Sequence, residues 1–158
     1  FASNATDEDI DKLIAFNFTS MIYACQAALP SLRASGGIIV NVATIGIDLA
    51  PVSGALAIYS SAKAAVLRYT RHLAAEVGPD GVRVNAIAPG IIETARVRSQ
   101  AAARNLGTTE QASKIPLRRL GTPDDCAGAL EFLVTDLSRY VTGECIRVSG
   151  GFSLVAAG

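Results

Sequence analysis

The chain has 158 residues, which suits one domain, and 50% of them are hydrophobic while 18% are charged, so the composition excludes an intrinsically disordered chain. Fourteen basic and fourteen acidic side chains give a formal net charge of zero, which leaves no strong field to attract nucleic acid or an anionic membrane. Without a secretory leader pattern or an uninterrupted apolar run of roughly 18 residues, we expect a cytoplasmic protein with no nucleic-acid partner and no membrane partner.

The first predicted element is a long helix. Thr6 can cap its start, and the acidic residues 7–9 suit the positive end of a helix dipole. Apolar residues at helical spacing continue towards Leu32, and Ser35-Gly36-Gly37 ends the pattern. The run from Ile38 to Ala43 is nearly continuous in β-branched residues, as is typical of a strand buried on both faces of a parallel sheet.

Helices and strands continue to alternate along the rest of the chain. After a loop with Pro51 and Gly54, the pattern predicts a helix from Ala57 to Val77, a strand from Val82 to Ala88, a weakly helical, lid-like segment from Thr94 to about Ser113, a helix from Pro123 to Val134 behind a Thr122 cap, and a strand from Glu144 to Val148. This alternation predicts an α/β fold, a Rossmann-like doubly wound parallel sheet of about three strands. The strand from Ile38 to Ala43 is too apolar for an exposed edge, so we expect it to need a neighbour that this chain does not supply.

Tyr59 and Lys63 are the first residues whose spacing suggests chemistry. They lie four residues apart near the start of a predicted helix, so their side chains share one helix face. A neighbouring ammonium stabilises a phenolate, and such a pair can move a proton to or from a substrate oxygen. The Tyr-x-x-x-Lys spacing alone is weak evidence, because an ordinary helix can carry both residues.

The segments around this pair make the pattern specific. Tyr59-Ser60-Ser61-Ala62-Lys63 is followed by Asn85-Ala86-Ile87-Ala88-Pro89-Gly90, by Pro116 to Asp125, and by Tyr140-Val141-Thr142-Gly143. In order, spacing and predicted secondary structure the chain resembles the classical short-chain dehydrogenase/reductase family from about Thr6 to Phe152. The resemblance implies an oxidoreductase that transfers hydride between NAD or NADP and a small ketone or secondary alcohol. Tyr59 would be its acid/base, Lys63 would favour the phenolate and bind the nicotinamide ribose, and Asn17 would help to hold a water of the proton relay behind Lys63.

The fourth catalytic position is a hydroxyl that would bond the substrate oxygen. The family usually places a serine after the strand that precedes the tyrosine, and Thr44 occupies that place here. The loop from Thr44 to Tyr59 is about two residues longer than the commonest family spacing, however. Counting strictly back from Tyr59 reaches Gly46, which has no hydroxyl, and Ser53 is a more distant alternative.

The cofactor-binding residues follow from the same resemblance. They are Tyr59, Lys63, Pro89, Gly90, the backbone of Ile92, and Thr94. The sequence contains no glycine-rich loop of the kind that cradles a pyrophosphate, and the family carries that loop in its N-terminal portion. We therefore interpret residues 1–158 as a single partial domain, the C-terminal part of the fold, which by itself should bind NAD or NADP poorly and turn over slowly or not at all.

Two other functions remain open at this point. One is a truncated, non-catalytic family member that acts as an oligomer or binding module, and the other is a sugar-nucleotide epimerase or dehydratase, which shares the Tyr-x-x-x-Lys pair. No metal site is expected, because the three cysteines lack metal-ligand spacing. The family commonly forms homo-oligomers, dimers or tetramers, through its two long helices. Small residues that would permit close helix approach are Ala24, Ala27, Ala28, Ala64 and Ala65.

Overall fold

The computed structural model describes residues 2–48, 56–104 and 107–154. The helices are α1 Asp7–Ile14, α2 Ser20–Ser35, α3 Ala57–Val77, α4 Ala95–Arg104, α5 Thr109–Lys114 and α6 Pro123–Val134, and the strands are β1 Ile38–Val42, β2 Arg83–Pro89 and β3 Cys145–Val148. A π-helical segment, Ala15–Thr19, joins α1 to α2, and 3-10 turns lie at Ala2–Asn4, Ile45–Ile47, Gly78–Asp80, Asp136–Ser138 and Phe152–Leu154. The predicted strands and helices are present within one or two residues, and the lid-like segment forms α4 and α5. The loop with Pro51, Ser53 and Gly54 lies outside the described residues.

The three strands form one parallel sheet in the order β1-β2-β3. Ile38 to Val42 pair with Arg83 to Ile87, and Ala86 to Pro89 pair with Cys145 to Val148. Within the described residues β1 is therefore an edge strand, and its last residue, Val42, is 50% exposed. That β1 needs a neighbour from outside this chain stays a prediction.

Helices cover both faces of the sheet. On one face, Cys25 and Leu29 of α2 and Leu73 and Val77 of α3 form a buried cluster with Val84 of β2. Both α3 and α6 contact β1 and β2. Val84 packs against α3, whereas the preceding strand residue, Arg83, bonds the Thr135 carbonyl at the end of α6. Successive strand side chains point to opposite faces, so α6 lies on the opposite face. The doubly wound α/β architecture is confirmed.

The predicted helix boundaries are confirmed by their caps. Thr6 accepts from the Asp9 amide at 3.2 Å and Asp9 accepts from the Thr6 amide at 3.3 Å, a reciprocal capping box. Thr122 and Asp125 form the same box at the start of α6. Gly36 ends α2 in the left-handed conformation, with φ 67°, which favours glycine because it has no Cβ.

One helical stretch, Asp7–Ser35, is long and apolar enough to cross a membrane by length and composition alone, with a mean hydropathy of 1.2 over its most apolar window. Counting uninterrupted apolar runs did not reveal it, because polar but uncharged residues are scattered through the window. Core helices of soluble proteins pass the same test, so this is weak evidence for a membrane span. The absence of a membrane partner stays a prediction.

Asn85 in β2 joins the sheet to the segment that leads into β3. Its side chain is fully buried. The Nδ2 group donates to the Val141 carbonyl at 2.9 Å, and the Oδ1 atom accepts from the Glu144 amide at 3.0 Å. Asn85 therefore has a structural role, which is to satisfy two backbone groups at the start of β3.

We expect Asn85→Ala to destabilise the fold by about 2–4 kcal/mol, because it opens a cavity, removes the acceptor of the Glu144 amide and leaves the Val141 carbonyl with Arg83 as its donor. Urea unfolding followed by circular dichroism measures the change. Asn4→Ala is the matched control, because Asn4 is exposed. Equal stability of the Asn85 and Asn4 variants would contradict the structural role.

Candidate active site

Tyr59 and Lys63 lie one turn apart in the first two turns of α3. Both side chains are half-buried. The Lys63 Nζ atom donates to the carbonyl of Val42, the last residue of β1, at 3.0 Å. Partial burial lowers the pKa of the Lys63 ammonium below its ordinary value. The structure thus brings this amine to the carboxyl end of β1.

Asn17 and Tyr59 line the same cavity, which has a volume of about 560 Å³. Asn17 lies in the π-helical segment, and its Nδ2 group donates to the Leu13 carbonyl at 3.0 Å. Single-turn π segments inside helices occur frequently at functional sites. Leu56, which precedes α3 with φ 69°, also lines the cavity, and a leucine in this left-handed conformation is uncommon.

Thr44 follows β1 and begins the 3-10 turn Ile45–Ile47. Its Oγ1 atom accepts from the Gly46 amide at 3.3 Å, and the hydroxyl keeps its own proton for donation. Gly46 lies between Thr44 and Ser60, because a Cβ built on Gly46 would sit 3.6 Å from Thr44 Oγ1 and 3.5 Å from Ser60 Oγ. Thr44 is thus packed towards the first turn of α3. Ser53, the distant alternative, lies outside the described residues.

The turn after β2 is held by close packing and by a short parallel bridge. A Cβ on Gly90 would lie 3.0 Å from Ser149 Cα, so only glycine fits without a shift. Gly121 donates to the Ile91 carbonyl and accepts from the Glu93 amide, which leaves the amide and carbonyl of Ile92 pointing away from Gly121. Thr94 caps α4 by accepting from the Val97 amide at 3.2 Å.

Two ion pairs lie beside this turn, around a second cavity of about 240 Å³. Arg147 of β3 holds Asp48 at 2.5 and 3.1 Å, and Arg119 holds Asp125 at 2.7 and 2.8 Å. Hydrogen bonds from Arg119 and Thr122 keep the pKa of Asp125 well below its usual range. Asp125 is therefore a helix-start charge.

The sequence did not reveal every residue around Tyr59. Apolar side chains that line the larger cavity are Leu13, Phe16, Leu56 and Ile58. Helical spacing marks Leu13 and Phe16 only as apolar, and it does not distinguish a cavity wall from a core position. Across the described ranges, no three His, Cys, Asp or Glu side chains lie close enough together to hold a metal ion.

We expect the Arg119–Asp125 contact to make stability depend on acid. The pKa of Asp125 is lower in the folded chain than the value of about 3.9 in an unfolded one, so the contribution is present above that value and is lost as pH falls through the folded pKa. Asp125→Asn should therefore lower the urea midpoint at pH 6, and the difference from the parent should shrink at pH 3. Asp124→Asn, on the exposed neighbour, is the control. A difference that stays constant with pH would contradict the assignment.

A family model described as enoyl-(acyl carrier protein) reductase matches residues 2–153. Among curated relatives, cyclohexanol dehydrogenase from Rhodococcus sp. (strain TK6) is 43% identical over 153 residues, which cover 96% of this chain and 56% of the relative. The chain spans about half the length of the curated relatives it matches.

Solved structures share the fold. ElxO with NADP bound superposes with a TM-score of 0.85 and 27% identity over 97% of this chain and 61% of that one. A 3-oxoacyl-[acyl-carrier protein] reductase with bound NAD from Brucella melitensis gives a TM-score of 0.81 and 30% identity over 96% and 55%. The family match, the identity and the parallel sheet agree with the motifs around Tyr59, and the chain belongs to the short-chain dehydrogenase/reductase family.

Proposed function

We propose that this chain carries the acid/base machinery of an oxidoreductase that moves hydride between NAD(P)(H) and a ketone or secondary alcohol. One observation carries the proposal: Tyr59 and Lys63 lie one turn apart at the start of α3, and the Lys63 ammonium reaches the carboxyl end of β1. Open α/β sheets bind ligands outside this end of their strands. The dehydrogenase and reductase names of the relatives support the same class of reaction.

The residues at this edge fit the nicotinamide end of a dinucleotide. Lys63 offers an ammonium to ribose hydroxyls, and Thr94 offers a hydroxyl. The Ile92 amide and carbonyl, directed away from Gly121, match the acceptor and donors of a carboxamide. The nicotinamide ring, when bound, supplies or accepts the hydride. Relatives of known structure hold NADP or NAD, and the proposal covers either cofactor.

Tyr59 and Thr44 would both act on the oxygen atom of the substrate, and Lys63 and Asn17 would act through Tyr59. Tyr59 gives its proton to the substrate carbonyl oxygen as hydride reaches the carbon, and it takes the proton back in the reverse direction. Thr44 donates a hydrogen bond to the same oxygen and so stabilises the charge that develops there. Lys63 favours the Tyr59 phenolate, and Asn17, on the same cavity as Tyr59, helps to resupply the proton through water.

The shape and lining of the cavity favour a small uncharged substrate. Its volume of about 560 Å³ falls within the usual range for small-molecule sites. Leu13, Phe16, Leu56 and Ile58 make much of the wall apolar. Asp9 and Lys12 also line the cavity, but they carry opposite charges and are already bonded within their own helix region, Asp9 to Thr6 and Lys12 to Glu8. A compact ketone or secondary alcohol matches this lining better than an ionic substrate does.

We also propose that the chain self-associates as a dimer or tetramer through α2 and α3. Ala24, Ala27, Ala28 and Ala64 are exposed, and Phe16 and Tyr23 are 81% and 65% exposed along the same helical stretch. Aromatic side chains are enriched at interfaces between proteins, and small side chains leave room for the backbones of two helices to approach closely.

Ketone-dependent oxidation of NADH and NADPH tests the proposed chemistry. Millimolar cofactor is required, because the sequence has no glycine-rich phosphate loop and we expect turnover to be slow. Tyr59→Phe should lower turnover by about 10²–10⁴-fold, because it removes the only proton that the phenol exchanges. Tyr69→Phe, on the same helix and in edge contact with Phe18, should keep the parent rate.

Two results would overturn the acid/base assignment. Tyr59→Phe could reduce ketones as fast as Tyr69→Phe, in which case the phenol is not the proton donor. The parent could oxidise neither cofactor with any ketone, which would favour the non-catalytic binding module.

The hydroxyl of Thr44 is tested separately. Thr44→Ala should lower turnover with little effect on cofactor binding, and Thr44→Ser should restore most of it, because serine keeps the hydrogen-bond donor. Steady-state kinetics with cyclohexanone provide the measurement. Undiminished turnover of Thr44→Ala would remove Thr44 from the site.

A further inference from the structure

Asn41 is the one polar residue in the strand run from Ile38 to Ala43, and it is only 5% exposed. A buried amide costs free energy unless it is hydrogen-bonded. The Asn41 Nδ2 group donates to Thr70 Oγ1 at 2.9 Å, and Thr70 in turn donates to the Val66 carbonyl at 2.8 Å. The Asn41 Oδ1 atom lies 3.7 Å from Cys25 Sγ. This buried group therefore links β1 to α3 and touches α2.

The face of α3 that contacts Asn41 also contacts Val42, the next residue of β1. Lys63 and Thr70 are seven residues, or about two turns, apart and share that face. The Lys63 Nζ atom donates to the Val42 carbonyl at 3.0 Å, and the Thr70 Oγ1 atom accepts from the side chain of the adjacent Asn41. Two polar contacts thus join consecutive strand residues to one face of the helix, with apolar Val66, 1% exposed, between them.

We propose that Asn41 and Thr70 are positioning residues for Lys63. Their hydrogen bond fixes the position of α3 along the direction of β1. It thereby places the Lys63 amine at the carboxyl edge of the sheet. Apolar packing is non-directional, whereas a satisfied buried hydrogen bond specifies one arrangement. The consequence for catalysis rests on the proposed function, but the placement of the amine does not.

The bond could alternatively serve stability alone, and one pair of variants separates the two roles. Asn41→Leu combined with Thr70→Val replaces both polar groups by apolar groups of similar shape, so no buried amide is left unpaired. We expect its melting temperature to stay within about 4 °C of the parent. Thr70→Ser keeps the hydroxyl and is the conservative variant.

Carbon-13 NMR of lysine-labelled protein follows Lys63 without cofactor or substrate. The chain has three lysines, and the exposed Lys12 and Lys114 give internal reference signals. In the parent the titration midpoint of Lys63 lies below the ordinary lysine value, because burial lowers its pKa. In the double variant we expect the midpoint to rise towards the ordinary lysine value, because the amine moves into solvent. Thr70→Ser should retain the parent midpoint.

Ser138→Ala is the control for a general loss of stability. Ser138 is fully buried and bonds the Leu133 carbonyl at 2.9 Å and Arg83 at 3.1 Å, at the opposite end of β2. This variant should lower the melting temperature and leave Lys63 unchanged.

An unchanged Lys63 midpoint in the folded double variant overturns the proposal, and so does an equal shift in Ser138→Ala. If the double variant does not fold, Thr70→Val alone supplies the same comparison with Thr70→Ser. The Lys63 titration uses neither cofactor nor substrate, so it tests the positioning role even if Tyr59→Phe leaves ketone reduction intact. Failure of the positioning role can therefore be distinguished from failure of the proposed function.

Discussion

The parallel arrangement of β1, β2 and β3 is the constraint on which the rest of the molecule depends. Parallel strands all end at one edge of the sheet, so the segments that follow β1, β2 and β3 meet there. Thr44 follows β1, the Pro89-Gly90 turn ends β2, and Ser149 follows β3 and packs against Gly90. The start of α3 returns to the same edge, because Lys63 bonds Val42. The spacing of Tyr59 and Lys63 does not define a site by itself, because it is the sheet that brings the other segments to the same edge.

Polar contacts at the edge and in the core have different physical roles. At the rim, Arg147–Asp48 and Arg119–Asp125 are partly exposed, and such pairs contribute little to stability. In the interior, Asn41 and Asn85 are buried, and each satisfies a specific partner on a neighbouring segment. The interior asparagines join neighbouring elements to the sheet, whereas Arg147 ties the loop at Asp48 to β3 and Arg119 ties its loop to α6.

In the part of the chain that the structure describes, β1 has a strand neighbour on one side only. Val42 is half exposed at that edge, and solved relatives extend well beyond the superposed region. A strand whose backbone is paired along one edge only leaves N–H and C=O groups free along the other edge, where a further strand can pair. Lys63, which bonds the Val42 carbonyl, lies close to this edge.

The sequence alone determined the elements and their caps. Alternating helix and strand patterns predicted the α/β fold, and Thr6, Gly36 and Thr122 marked helix ends correctly, because capping is a local interaction between residues close in the chain. Motif resemblance indicated the family and named Tyr59, Lys63, Asn17 and Thr44.

Only the tertiary structure decided which distant residues meet. The partner of Asn41 is Thr70, 29 residues away, and the partner of Lys63 is Val42, 21 residues away. No periodicity encodes such pairs, because they depend on how α3 packs across the sheet. The π-helical segment at Asn17 also escaped prediction, since its sequence continues the helical pattern and only the backbone hydrogen bonds distinguish it.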